Sequence, residues 1–376
     1  MNKKPIIVVL SENIDNFNIV KNETQYPFLE YFIYPFLQLK YSIAERVVNK
    51  IGSVFINKKI ITKTAKQPKI DFLYPNYIDA IKVEGLKKVN WIPDFQEEHL
   101  PQFFSKEEIS RRKHIQKEVY SLGDLVVLSS NDARNDYNKL YPNAKAKPYV
   151  LSFAVTHPDF KKLSSKLILE KYKLASSYFF SPNQFWAHKN HIVVLKAVKY
   201  LKDLGVHVIV AFSGKETDFR NAENFNSLKS YVKQYELEKH IRFLGFIDRE
   251  EQLCLLDNSI AVIQPSLFEG WSTVVEDARA LNKFIILSGL DVHQEQINEN
   301  VHFFNPKNEK ELAKILNRYY VEKPKTVILD YKNKKLTLKK NKNFKASFSY
   351  NKSGIIIEQN GVILVKERES RSGLGY

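Results

Sequence analysis

Short apolar runs alternate along this chain with longer amphipathic stretches, and this alternation limits the possible folds more than any other feature of the sequence. Runs of this length are typical of strands buried in a parallel sheet, and the stretches between them have helical periodicity. The predicted strands are residues 89–95, 125–129, 177–181, 206–213, 241–246, 260–265 and 284–288. The predicted helices are residues 106–120, 190–202, 227–237, 249–256 and 274–281. The pattern predicts doubly wound α/β domains, in which ligands bind at the carboxyl ends of the strands.

A chain of 376 residues is long enough for two domains with separate cores. The alternation is interrupted at residues 156–166, which contain a proline and two serines, and we predict the linker there. The predicted divisions are a first domain at residues 1–155, a second at 166–320, and a lysine-rich tail with short β segments at 321–376.

Composition argues against several classes of protein. The single cysteine, Cys254, rules out a disulfide framework and a cysteine-based zinc site, which favours the reducing cytoplasm. The apolar residues 6–10 are too few for a signal-peptide core, and prolines and charges break residues 26–41. We therefore expect no secretion signal and no membrane-spanning helix. The net charge of +16 favours an anionic partner, but no nucleic-acid-binding pattern accompanies the lysines, so we expect no nucleic acid.

The segment with the most chemical information is residues 263–280, where a predicted strand leads through a short turn into a predicted helix. Thr273 and Glu276 have the spacing of a capping box, which places the helix start at Thr273 and gives Glu276 a structural role. The positive end of this helix suits a diphosphate, although each dipole interaction contributes only about 0.3–1 kcal/mol. The backbone amides expected at that end belong to Gly270, Trp271 and Ser272, and these three residues and Thr273 are candidate donor-binding residues.

This segment resembles the retaining glycosyltransferases of family 4, whose signature is a glutamate, seven intervening residues and a second acid. Glu269 and Asp277 occupy those positions. The resemblance implies a GT-B fold of two facing Rossmann-like domains, with the sugar-nucleotide donor held by the second domain. It also implies that Glu269 contacts the transferred sugar and that Asp277 binds the ribose hydroxyls. Asp277 stands where a longer glutamate is commoner, so its reach is shorter.

Two further segments are similar to the donor side of the same family. Residues 180–191 match a segment in which an arginine and, five residues later, a lysine bind the donor phosphates. Lys189 fits the lysine, whereas the neutral Gln184 stands at the arginine position, with Asn183 beside it. Residues 244–249 match a turn that approaches the nucleotide base, which makes Gly245 and Phe246 candidate donor-binding residues, although a plain strand-ending glycine explains Gly245 almost as well.

The first half of the chain resembles a bacterial branch of the family that reads Pro-Asp-Phe-Gln-His. Glu97 replaces that histidine here and His99 follows two positions later, so both are candidate acceptor-side residues. Ser130 and Asp132 are explained as helix-start residues. Family members have a glycine-rich first turn, but this chain has few glycines in that region, so we expect a shortened or remodelled first domain.

The resemblance implies transfer of a hexosyl group from a UDP- or GDP-sugar, without a metal or cofactor, to a glycan or lipid-linked acceptor in cell-surface polysaccharide synthesis. No Asp-X-Asp metal motif is found, and Lys189 would neutralise the diphosphate instead. Residues 26–51, aromatic and basic, are either a peripheral contact with the inner face of the plasma membrane or an ordinary core helix with a solvated face. The alternative function is a non-catalytic partner subunit of a glycan assembly complex, which Gln184, Glu97 and the altered first domain favour.

Overall fold

The computed structural model describes residues 6–33, 42–55, 60–61, 72–76, 87–121, 125–328, 347–351 and 354–358. The chain separates into two compact units. The first contains residues 1–76, 82–88 and 334–376, and the second contains residues 77–81 and 89–333. In the described ranges, no helix is long and apolar enough to cross a membrane.

The first unit begins with a parallel βαβ arrangement. Strands β1 (Ile7–Ser11) and β2 (Leu29–Ile33) pair in parallel and are joined by helix α1 (Ile14–Thr24). The side chain of Asn13 accepts a hydrogen bond from the Asp15 amide and so begins α1. Helix α2 (Ile43–Phe55) and strand β3 (Phe72–Asn76) follow. Strand β1 covers most of the apolar run at residues 6–10.

The second unit starts with a parallel sheet of order β4-β5-β6, formed by β4 (Lys87–Ile92), β5 (Leu125–Leu128) and β6 (Lys147–Val150). Its helices are α3 (Gln96–His99), α4 (Lys106–Ser121) and α5 (Asn131–Leu140). Ser130 begins α5, because its hydroxyl accepts a hydrogen bond from the Ala133 amide, and the helix-start prediction for Ser130 is confirmed. Residues 151–159 then have no regular structure, in the region of the predicted linker. The predicted domain boundaries themselves stay a prediction.

A second, six-stranded parallel sheet occupies the rest of the unit, in the order β12-β11-β10-β7-β8-β9. Its strands are β7 (Phe179–Ser181), β8 (Val210–Phe212), β9 (Ile241–Phe243), β10 (Val262–Gln264), β11 (Ile285–Ser288) and β12 (Val301–Phe304). Its helices are α6 (Ser165–Lys171), α7 (His191–Asp203), α8 (Asn224–Gln234), α9 (Arg249–Asn258), α10 (Thr273–Ala280), α11 (Asp291–Gln296) and α12 (Glu309–Val321). Strands β7 to β11 fall within predicted runs; β12 and α12 were not predicted.

The four central strands of this sheet, β7, β8, β10 and β11, are buried on both faces. Neighbouring residues such as Phe179 and Phe180, or Ile285 and Ile286, belong to opposite apolar clusters, one packed against α7, α8 and α12 and the other against α9 and α10. Successive side chains of a strand point to opposite faces, so a strand covered on both sides is apolar at most positions. This explains why these strands are visible in the sequence as continuous apolar runs.

The strand order reverses between β7 and β10, which are neighbours in the sheet although two other strands, β8 and β9, lie between them in the chain. In open parallel sheets, such a switch point leaves a crevice at the carboxyl ends of the two strands, because the following segments diverge. We call this the switch-point crevice, between the segment that follows β7 and the segment that follows β10. The two segments singled out in the sequence, 180–191 and 263–280, flank it.

The tail of the first unit contains an antiparallel hairpin of β13 (Ser347–Asn351) and β14 (Gly354–Glu358), in the region of the predicted β segments. The lysines at positions 332 to 345 and residues 359–376 lie outside the described residues.

Candidate functional site

A buried ion pair lies at the switch-point crevice. Lys189 ends the 3-10 turn Ala187–Lys189 after β7, and Glu269 lies in the turn after β10. The distance from Lys189 Nζ to Glu269 Oε1 is 2.7 Å, and the two side chains are only 14% and 8% exposed. Ser266 Oγ and Gln264 Nε2 donate to the same carboxylate oxygen, at 2.6 and 2.7 Å. The two residues predicted to be catalytic are therefore brought together by the fold.

Neighbouring side chains keep Glu269 ionised. Burial is the largest single influence and raises the pKa of this carboxyl, but the positive charge and hydrogen bond of Lys189, together with His188 and His293, outweigh burial and lower the pKa to about 2. Glu269 is therefore ionised at neutral pH. An ionised carboxylate in a nearly closed site is a strong hydrogen-bond acceptor, suited to the hydroxyls of a polar ligand.

Asp277, the second acid of the signature, lies on α10 and is 3% exposed. Arg249 Nη1 donates to its Oδ2 at 2.8 Å, Arg249 Nη2 donates to Oδ1, and His157 Nε2 lies 2.9 Å from Oδ1. The carboxylate predicted to bind ribose is thus already engaged by two side chains. Arg249 starts α9 at the end of the predicted base-binding turn, and His157 comes from the irregular segment after β6. The sequence contains no spacing signal that links either residue to Asp277.

The start of α10 differs from its prediction. The helix does begin at Thr273, but the residue before it, Ser272, has an extended backbone and accepts a hydrogen bond from the Val275 amide at 3.4 Å. The capping box of Thr273 and Glu276 is therefore wrong. The carboxylate of Glu276 instead accepts hydrogen bonds from Arg279 and Gln296, because the helix turns it inward to 2% exposure.

Some of the hydrogen-bond donors expected to face a diphosphate already donate to other groups of the protein. The Ser272 amide donates to Gln296 Oε1 at 3.2 Å. The ring nitrogen of Trp271 donates to the carbonyl oxygen of Phe153 at 2.9 Å, which ties the turn to the segment after β6. Thr273 is exposed. The helix end therefore offers fewer free donors than its position suggests.

Gly270 lies against the turn that follows β4. A Cβ atom at this position would be 2.8 Å from the carbonyl oxygen of Pro93 and 2.8 Å from the Cβ of Asp94. Real Cβ contacts are not this short, so the close approach of the two turns requires glycine at position 270.

We predict that Gly270→Ala lowers the free energy of unfolding by about 1–3 kcal/mol, because the added methyl group must displace backbone atoms of the β4 turn. Urea unfolding measures this change. Gly289→Ala is the matched control, because a Cβ there has only an ordinary contact of 3.6 Å with Phe304 O. Equal stability losses in the two variants would contradict the steric argument.

Asp94 is a candidate site residue that the sequence analysis missed. Its carboxylate packs on Gly270, the residue after Glu269, and its Oδ1 accepts a hydrogen bond from the Gln96 amide at 3.1 Å. Burial raises the pKa of Asp94, and the negative charges of Glu97 and Glu269 act in the same direction. The Pro-Asp-Phe-Gln motif contains this residue, but no spacing signal in the sequence links it to Gly270.

The two predicted acceptor-side residues lie in different surroundings. The Glu97 side chain is fully buried and accepts hydrogen bonds from Gln116 at 2.5 Å and Arg112 at 3.3 Å, so it is engaged within the packing of α3 and α4. His99 is partly exposed. Its Nε2 lies 2.6 Å from Asp136 Oδ2, and its ring centre is 5.1 Å from that of Phe268. Of the two, His99 is the one that contacts the segment containing Glu269.

The remaining donor-side candidates gather at the ends of three adjacent strands, β7, β8 and β9. Gln184 Oε1 accepts a hydrogen bond from the Lys215 amide at 2.8 Å, and the buried Asn183 donates to Ser181 Oγ at 3.4 Å. Gly245 has a φ of +69°, which favours glycine, and Phe246 is 61% exposed. The structure thus places these candidates along one edge of the sheet.

A second cluster that the sequence did not indicate surrounds Arg220. Its guanidinium donates to Gln96 Oε1 at 3.0 Å and to His188 Nδ1 at 3.2 Å, with the Trp186 ring 5.2 Å away. Arg220 and His188 line a small cavity of about 70 Å³. Because the guanidinium donates to Nδ1, the His188 ring carries its proton on Nε2 and is neutral.

Among the residues that the structure describes, no group of three or more His, Cys, Asp and Glu side chains is arranged to hold a metal ion.

Buried histidines next to the crevice predict sensitivity to mild acid. Burial lowers the pKa of His191 to about 3 and that of His293 to about 4, and the charge of Lys189 also opposes their protonation. A histidine whose folded pKa is depressed stabilises the fold above its unfolded pKa of about 6.5, and this stability is lost as pH falls toward the folded value. For each such histidine, the free energy of unfolding falls by at most about 1.4 kcal/mol per pH unit.

We therefore expect the free energy of unfolding in urea to fall between pH 6.5 and pH 4.5. His191→Gln removes one group that takes up a proton on unfolding. It should therefore reduce the slope of the unfolding free energy against pH by about 1.4 kcal/mol per pH unit. An unchanged slope in the variant would contradict the assignment of His191 as a buried neutral side chain.

Comparison with known proteins agrees with this geometry. Residues 170–336 match the family model described as Glycosyl transferases group 1, which covers the six-stranded sheet and both crevice segments. The O-antigen chain mannosyltransferase RfbU of Salmonella typhimurium is 25% identical over 270 residues, which are 72% of this chain and 66% of that protein. The match therefore spans just under two thirds of the relative's length. The chain carries a glycosyltransferase group 1 domain.

Solved structures share the fold. A glycosyltransferase from Rickettsia africae has a TM-score of 0.54 at 17% identity, with 86% of this chain and 89% of that chain covered. Anabaena HepE in complex with UDP has a TM-score of 0.55 at 15% identity, with 84% and 90% covered. At these identities the likeness shows the fold alone. The predicted GT-B type α/β fold is confirmed, whereas the finer assignment to family 4 stays a prediction.

Proposed function

We propose that this chain is a retaining glycosyltransferase that moves a hexosyl group from a UDP- or GDP-sugar to a glycan or lipid-linked glycan in cell-surface polysaccharide synthesis. The observation that carries the proposal is the Lys189–Glu269 ion pair at the switch-point crevice. This is where open α/β sheets bind their ligands, and it holds an ionised acceptor next to a cation.

In the proposed mechanism, Glu269 accepts hydrogen bonds from the hydroxyls of the transferred sugar, and Lys189 lies beside the leaving diphosphate. The acceptor hydroxyl oxygen forms a bond to the anomeric carbon while the bond from that carbon to the phosphate oxygen breaks. The hydroxyl proton passes to the leaving phosphate on the same face, which retains the configuration. The protein supplies placement and charge stabilisation, which contribute most where charge develops in a site that excludes water.

Neither a metal nor a cofactor is part of this proposal. Lys189 is assigned part of the charge neutralisation that a divalent cation would otherwise provide. Full transfer activity in the presence of excess EDTA is the expected result, and loss of activity that magnesium restores would overturn this part of the proposal.

The relatives suggest which substrates to test. The relative is by its name a mannosyltransferase of O-antigen chains, which supports a mannosyl donor and a glycan acceptor, and GDP is one of the two donor nucleotides that the family resemblance implies. The HepE structure contains UDP, which supports a uridine-linked donor. Both nucleotides therefore belong in the first screen.

The experiment that tests the proposal is thermal stabilisation by UDP, GDP and their sugars, with and without magnesium. A ligand bound only to the folded state raises the melting temperature by mass action. We expect a magnesium-independent shift with one of the two nucleotides, and a further shift with its sugar that Glu269→Ala abolishes. No shift with a well-folded sample would favour the non-catalytic partner subunit instead.

Peripheral membrane contact is the second part of the proposal, supported by one face of α2. Ile43, Val47 and Ile51 lie four residues apart along the helix and are 80%, 52% and 49% exposed, with Arg46 and Lys50 between them. An exposed apolar stripe beside basic residues is typical of a helix that lies in the interface of an anionic membrane. Residues 34–41 of the stretch predicted for this contact lie outside the described residues.

We predict that the Ile43→Ser/Val47→Ser double variant binds vesicles of phosphatidylglycerol and phosphatidylcholine at least tenfold more weakly than the unsubstituted chain, because about two apolar side chains no longer enter the interface. Cosedimentation measures the binding. Binding that equals that of the unsubstituted chain would contradict a role for this face.

A further inference from the structure

The donor site has too little positive charge for a diphosphate. The family resemblance implies two cations on the phosphates, but Gln184 stands at one of those positions. The charge of Lys189 is balanced by Glu269 at 2.7 Å, and that of Arg249 is balanced by Asp277 at 2.8 Å. A diphosphate carries at least two negative charges, so another cation must reach this edge of the sheet.

The loop after β8 brings a lysine to the side chain of Gln184. The amide of Lys215 donates to Gln184 Oε1 at 2.8 Å, and β8 is the direct neighbour of β7 in the sheet. The preceding residue, Gly214, is pressed onto the same segment, because a Cβ there would lie 2.1 Å from the carbonyl oxygen of Asn183. Its φ of +158° and this contact leave room only for glycine. The backbone of Lys215 is therefore held next to position 184.

The side chain of Lys215 is available for a ligand. It is exposed, and it forms no ion pair with any residue in the described part of the chain. Its Nζ lies 5.7 Å from the centre of the Phe246 ring, the exposed aromatic residue assigned to the nucleotide base. A flexible stem on an anchored backbone lets the ammonium group move from the ring toward a phosphate without rearranging the loop.

We propose that Lys215 binds the diphosphate of the donor and supplies the charge that Gln184 lacks. The inference rests on the proposed function and adds to it a further donor-binding residue. In this arrangement the side chain of Gln184 contributes to diphosphate binding indirectly. Its Oε1 accepts the hydrogen bond that holds the loop carrying Lys215. Lysine binds phosphate as a point charge, so the exact direction of approach matters less than for arginine.

The test is isothermal titration calorimetry with UDP, GDP and the free nucleosides uridine and guanosine. The variants are Lys215→Gln, Gln184→Arg and the double variant, with Lys239→Gln as the matched control. Lys239 is an exposed lysine just before β9, at the opposite end of the strands. We expect Lys215→Gln to weaken binding of the preferred nucleoside diphosphate about tenfold and to leave binding of its nucleoside unchanged. Gln184→Arg in the Lys215→Gln background should restore most of the loss.

The possible results distinguish a failure of this inference from a failure of the proposed function on which it rests. Unchanged diphosphate binding in Lys215→Gln, an equal loss for the nucleoside, or a loss that Gln184→Arg does not restore would overturn the inference alone. Absence of nucleoside diphosphate binding by the unsubstituted, folded chain would overturn the proposed function and this inference with it. An unchanged melting temperature of ligand-free Lys215→Gln establishes that the loss is not one of folding.

Discussion

Replacement of Glu269 by alanine is expected to lower kcat/KM for sugar transfer by at least about 10²–10³-fold, the loss typical for removing one group that stabilises a transition state in a closed site. Glu276→Ala should change kcat/KM by less than about tenfold. The two glutamates make a matched pair, because both are buried in the same segment, at 8% and 2% exposure. Only Glu269 lies at the switch-point crevice next to Lys189.

Glu276 should instead affect stability. Its carboxylate accepts hydrogen bonds from Arg279 and Gln296, and removal of a buried acceptor leaves its donors unsatisfied at about 1–3 kcal/mol. Rates of product formation must therefore be measured below the unfolding temperature of both variants. Glu269→Gln, which keeps the shape but removes the charge, tests whether the charge itself is needed. Equal rate losses at positions 269 and 276 would overturn the assignment of Glu269.

Lys189→Met is expected to lower the free energy of unfolding at pH 7 by about 3–5 kcal/mol, because it leaves the buried carboxylate of Glu269 without its partner. The double variant Lys189→Met/Glu269→Gln should recover most of this loss, since it leaves no unpaired charge. Lys199→Met is the matched control. Lys199 pairs with Asp203 at 2.5 Å on the exposed face of α7, where such a pair contributes under about 0.5 kcal/mol.

The loss in Lys189→Met should depend on pH in a defined direction. In the unsubstituted chain, the folded pKa of Glu269 is about 2, so its stabilising contribution is present above the unfolded pKa of about 4.5 and is lost as pH falls toward 2. Without Lys189, burial dominates and the folded pKa rises above the unfolded value. The deficit of the variant relative to the unsubstituted chain is then largest at neutral pH, and it shrinks as pH falls to about 4. Urea unfolding at pH 7, 5 and 4 measures it, and a deficit independent of pH would contradict the assignment.

The sequence was a good guide to the fold of the second unit. The central strands β7, β8, β10 and β11 were predicted because both faces of each are buried, which makes most positions apolar and the run visible without any tertiary information. Strand β12 was missed, because it lies at the edge of the sheet and only Phe304 of its residues is fully buried. The N-cap of α10 was predicted at Thr273, one residue after the true N-cap, Ser272. Serine and threonine are both common N-cap residues, so the sequence does not distinguish them.

By itself, the sequence determined the parallel α/β architecture and the two segments that flank the switch-point crevice, because hydrophobic periodicity and motif spacing are local properties of the chain. Only the tertiary structure decided how the charges are paired. Asp277 is engaged by His157, 120 residues away, and Glu269 by Lys189, 80 residues away. It also decided that Asp94 approaches Gly270 and that Lys215 lies beside Gln184. Charge compensation and close packing depend on distances between segments remote in the chain, and those distances exist only once the sheets have formed.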